Sequence, residues 1–63
     1  MSINKITISF QMDNEAFDED KWLEASRILD TIAMNLRHGR LPVSLVDING
    51  NTCGTVVYDE VKP

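Results

Sequence analysis

Hydrophobic periodicity changes twice along this chain, and those changes limit the fold more than any other feature. Lys5 to Met12 alternate, with Ile6, Ile8, Phe10 and Met12 on one side and Lys5, Thr7, Ser9 and Gln11 on the other. A period of two with β-branched residues predicts a strand over 5–12 with one buried face. Asp13 to Asp18 break the alternation and read as a connection, with Phe17 as an apolar anchor under the element that follows. From 19 to 38 the period is helical. At about 100° per residue, Trp22, Ala25, Ile28, Leu29, Ile32, Ala33 and Leu36 gather on one side. Asp18 or Asp20 suits the N-cap, where a side-chain oxygen accepts an orphan backbone N–H. Acidic residues crowd the first turns and Arg37, His38 and Arg40 the last, as the helix dipole favours. Gly39 can adopt the left-handed conformation that closes a helix. The period then returns to two in 41–48 and 51–59, around Asn49-Gly50, a strong signal for a two-residue hairpin turn.

That turn sets a register: Leu41 faces Tyr58, Val43 faces Val56 and Leu45 faces Gly54, forming one apolar face. Val46, Ile48, Cys53, Thr55 and Val57 fall on the other. With one helix between them, the first two strands run the same way and the third runs opposite. Order 2-3-1 makes every neighbour antiparallel and puts Pro42, which has no N–H, on an edge. The expected fold is α+β, a single βαββ domain over 1–63: a three-stranded antiparallel sheet with one helix packed on one face. The other face, carrying Val46, Ile48, Cys53 and Val57, is expected to pair in a homodimer. Glu60 to Pro63 are expected to fray.

Size, without the usual staples, leaves good local design or self-association as the source of stability. A chain of 63 residues buries only about 60% of its unfolded surface, and such a core supplies roughly 3–5 kcal/mol. Cys53 is the single cysteine, so no disulfide can close within the chain, and one cysteine with one histidine cannot build a structural zinc site. No apolar run has the length of a membrane span, and Met1-Ser2-Ile3-Asn4-Lys5 leads directly into the first strand, unlike a targeting peptide. A cytoplasmic protein without a cofactor is expected. A net charge of −4 disfavours nucleic-acid backbone and anionic membranes, both of which need Lys and Arg.

Several clusters are candidates for function. Asp13, Glu15, Asp18, Glu19, Asp20 and Glu24 crowd twelve residues, offset by Lys21. Asp13, Glu15, Asp18 and Asp20 are the best candidates for meeting a basic partner, although acids also suit a helix N-terminus for structural reasons. Leu23 and Met34 lie opposite the apolar stripe, beside Arg27 and Asp30, as a second docking surface. Arg37, His38 and Arg40 could hold a small anion or nucleotide at a subunit junction, although helix C-termini repel anions. Asp47, Asn49 and Asn51 alternate as in a calcium loop, but Thr52 stands where its glycine belongs and no glutamate follows at the twelfth place, so a hairpin is expected. Cys53 has no adjacent base to activate it. Without a phosphate loop, a triad or a paired-carboxylate cleft, the chain reads as a non-enzyme.

The pattern Asp13-Asn14-x-Ala16-Phe17, then Ile28-Leu29-x-x-Ile32-Ala33 with Gly39, then Val46-Asp47-x-Asn49-Gly50-Asn51-x-x-Gly54, resembles a group of small phage- and prophage-encoded proteins. The likeness spans most of the chain. It implies no catalytic residues, only a setting: a phage accessory protein in a bacterial cytoplasm. Together these readings predict a small, acidic, non-enzymatic protein that binds and modulates a bacterial host protein of transcription, replication or defence. A dimeric binder of a small anion or nucleotide is the alternative, and direct nucleic-acid binding a weaker one.

Overall fold

A computed structural model describes residues 2–62. Met1 and Pro63, which belong to the expected leader-free start and the frayed end, lie outside the described residues. Strand β1 runs Lys5–Phe10, a single 3-10 turn follows at Glu15–Phe17, helix α1 spans Lys21–Arg37, and strands β2 and β3 are Ser44–Val46 and Thr52–Asp59. The fold is α+β, with an antiparallel sheet in the order β1-β3-β2.

Local chemistry explains each boundary. Asp20 is the N-cap of α1, its carboxylate accepting the Leu23 N–H at 3.0 Å. Gly39, at φ +73°, closes the helix by donating to the Leu36 carbonyl, while the Arg40 N–H reaches back to Asn35. Strand β2 is shorter than the expected 41–48. Pro42 offers no donor, and pairing begins with the Val56 N–H donating to the Val43 carbonyl. Leu41 does not face Tyr58 in a ladder; the Tyr58 hydroxyl instead donates to the Pro42 carbonyl at 2.6 Å.

The turn between β2 and β3 departs from the two-residue form in an instructive way. Asn49 does not have positive φ; only Gly50 does, at +84°. The Gly50 N–H donates to the Asp47 carbonyl and the Asp47 N–H to that of Asn51, so the loop has three residues and ends on a left-handed glycine. This slips the register near the turn by one, pairing Val46 with Thr52. Further on, the slip is undone, because Leu45 pairs with Gly54. Cys53 is the extra residue, and such a bulge re-aims a side chain. Cys53 packs against the core, which corrects its expected place on the reverse face.

The core joins Ile28 and Ile32 of α1 to Leu45, Val56 and Phe17, with Phe10 and Phe17 stacked at 6.5 Å between ring centroids. Helix coverage is narrower than expected. The buried line of α1 runs through Glu24, Ala25, Ile28 and Ile32, rotated by roughly 60° from the anticipated stripe. Trp22 (70% exposed) and Leu29 turn outward. Leu41 and Val43 at the rim are also exposed. The expected fray at the C-terminal end stops short of Val61. Its N–H donates to the Asn4 carboxamide oxygen at 2.7 Å, and its carbonyl accepts from the Asn4 amide at 2.8 Å. Among the described residues, no helix is long and apolar enough to cross a membrane.

Candidate functional site

The rotation of α1 has a polar cause. Glu24 is only 6% exposed, yet every oxygen has a partner. Arg27 donates through Nε and Nη2 at 2.7 and 3.0 Å, and the Ile48 N–H donates at 2.8 Å. The hydrogen bonds from Arg27, and secondarily that from Ile48, hold the Glu24 carboxyl below its ordinary pKa even though burial opposes them. The same carboxylate raises the pKa of the Arg27 guanidinium. Arg27 also donates to the Val46 carbonyl at 3.2 Å. This flank of the helix is thereby drawn to the β2–β3 turn, and the opposite flank is swung out.

A second buried carboxylate completes the junction. Asp47, 3% exposed, accepts from the Asn49 and Asn51 N–H groups at 2.9 and 3.0 Å and from the Asn14 amide at 2.7 Å. Asn14 in turn accepts the Ala16 N–H and starts the 3-10 turn. The segments around Asn14 and around Asp47, far apart in the sequence, thus meet in one bond. Asp47 is spent on backbone and amide donors rather than held open for a calcium ion. Among the described residues, no cluster of His, Cys, Asp and Glu could hold a metal. No buried side-chain polar atom among them lacks a hydrogen-bond partner.

Between the 3-10 turn, the start of α1 and the β2–β3 turn lies an open groove of about 730 Å³. Glu15, Asp18, Glu19 and Asp20 line it with Leu23, Arg27, Ile48 and Asn49. Glu15, Asp18, Glu19 and Asp20 are exposed, as are Leu23 and Ile48. The groove is therefore a concave, acidic surface that also exposes Leu23 and Ile48.

The other expected sites are brought together less well. Asp13 is exposed outside the groove. Leu23 belongs to the groove, and Met34, also exposed, sits three turns away on the same side of the helix, about 16 Å along the axis. Arg37, His38 and Arg40 are exposed at the helix C-terminus, outside the acidic groove. The expected dimer face is divided. Val46 and Val57 are exposed on the reverse of the sheet, Ile48 lines the groove and Cys53 turns to the core. Burial, and then the nearby Asp47 charge, pushes the Cys53 thiol up, away from thiolate chemistry.

Sequence reasoning missed Glu24, Arg27, Asn14 and Asp47 as the residues that shape the site. The i,i+3 spacing of Glu24 and Arg27, and an aspartate two places before Asn49, suited to bonding its own turn, were the available signals. Compared with known proteins, the chain matches no family model, no curated protein and no solved structure.

Proposed function

We propose that this chain is a non-enzymatic binding module, and that its acidic groove receives a basic segment of a protein partner. The observation that carries the reading is the groove itself. Four exposed carboxylates, Glu15, Asp18, Glu19 and Asp20, surround a concavity whose floor and rim supply Leu23 and Ile48. Arg27, the cation lining it, is already neutralised by Glu24, so the site presents net negative charge. Lys or Arg side chains of a partner meet the carboxylates while an apolar residue beside them covers Leu23 and Ile48, the mixture of anchor and polar rim that protein interfaces use. The phage resemblance supplies the setting: a bacterial host protein, in the cytoplasm, whose activity changes on capture.

Capture from a bacterial lysate by the wild type, beside a variant carrying Glu15→Gln, Asp18→Asn, Glu19→Gln and Asp20→Asn, tests this. Asn caps a helix about as well as Asp, so the variant keeps its fold. A partner held by the wild type and lost by the variant supports the groove; equal capture by both removes it.

A further inference from the structure

The apolar surface that most needs cover is on the helix side of the sheet, along β1. Ile6 and Ile8 pair directly with Tyr58 and Val56 and so share the helix-covered face, yet they remain 46% and 40% exposed. Glu24 and Arg27 hold one flank of α1 to the β2–β3 turn. Leu29 and Trp22 lie on the opposite flank and are exposed. Exposed apolar side chains therefore stand on both β1 and this flank of α1.

Ile6 and Ile8 border a free strand edge. The Gln11 N–H donates to the Cys53 carbonyl at 2.9 Å. Bonding alternates along an antiparallel ladder, so the N–H and C=O groups of Ile6, Ile8 and Phe10 point away from β3. Among the described residues no strand borders β1 there. The two edges of the sheet are treated differently. β2 is three residues long, follows Pro42, and has its Val46 carbonyl capped by Arg27. β1 is six residues long, has no proline or bulge, and carries one charge, Lys5, at its first position. Natural sheets blunt exposed edges; here only one is blunted.

We propose that the occupant is a second copy of this chain, paired antiparallel through β1 about a two-fold axis to give a six-stranded sheet. Charge complementarity and the shape of the chain favour self-pairing. Antiparallel strands bring each Lys5 toward the Asp13 end of the partner strand. The same axis sets the two helices antiparallel, turning the acidic start of each, Asp18 to Asp20, toward the Arg37 and Arg40 end of the other. The chain also exposes 4905 Å², against about 4,100 Å² for a compact monomer of 7.1 kDa. The excess is close to the roughly 800 Å² that one partner contributes to a standard interface. A radius of gyration of 13.0 Å, against about 10.6 Å for a compact chain of this length, points the same way.

The proposed pairing draws on Asp18 to Asp20 of the groove but needs no other partner, and is tested on the protein alone. Sedimentation equilibrium is expected to give twice the chain mass at high micromolar concentration. Amide exchange at that concentration is expected to show Ile6, Ile8 and Phe10 protected, with the protection lost on dilution. Leu29→Lys, at an exposed helix position, is expected to weaken dimerisation at least tenfold with its far-UV spectrum intact, whereas Val57→Lys on the reverse face leaves it unchanged. A chain that stays monomeric to millimolar concentration overturns the proposal. So does a dimer in which those three amides exchange freely, or one broken by Val57→Lys but not by Leu29→Lys.

Discussion

Glu24 gives up water for three donors, two on Arg27 and one on Ile48, and this exchange shapes everything around it. Its folded-state pKa lies below the ordinary value of 4.5, chiefly because of Arg27, so the unfolded chain takes up the proton first. The stabilisation is whole above that ordinary value and drains away as pH falls through the lowered one. Glu24→Gln is expected to reduce stability at pH 7 by about 1–3 kcal/mol in urea titrations, with the gap to wild type narrowing as the pH falls below the ordinary value of 4.5. Gly54 makes a different demand. A Cβ there collides with the Ser9 carbonyl oxygen and with Phe10 Cα and Cβ, all on a neighbouring strand. Gly54→Ala is expected to lose about 1–3 kcal/mol by overpacking and to lower the melting temperature accordingly. Cys53, half-buried with its thiol pushed up, is expected to alkylate with iodoacetamide more than about tenfold slower in the folded protein than in urea.

At the level of elements, β1, α1 and β3 were legible because each is announced by its own period and closed by its own punctuation, as Asp20 and Gly39 close the helix. The facing of α1 was not legible. Apolarity alone centres the stripe between Ile28 and Leu29, and nothing local reveals that Glu24 finds the Ile48 N–H twenty-four residues away. The hairpin shows a related limit. The Asn-Gly signal correctly reversed the chain, but Asp47 takes the Asn49 and Asn51 N–H groups with its side chain and stretches the loop to three residues. The bulge at Cys53 then restores the register at Leu45, so the outer half of the hairpin matches a turn type that is not present. Asp47→Ala strips three donors of their acceptor and is expected to cost about 2 kcal/mol or more, read by thermal melts.

For the whole molecule, the acids of the candidate site were visible in the sequence, whereas their concavity was not. It needs the 3-10 turn, the helix start and the β2–β3 turn to converge. Partner binding there is expected to weaken steeply between low and high salt, since the groove carboxylates are exposed and screened; isothermal titration at two ionic strengths measures it. The bond from Asn14 to Asp47 spans thirty-three residues of chain and ties opposite walls of the groove. Neither wall keeps its shape without the other, so synthetic peptides copying 13–24 or 44–54 alone are unable to substitute for the intact protein. A ligand seated in the groove grips both walls at once, and its affinity is thereby tied to whether the chain as a whole has finished folding.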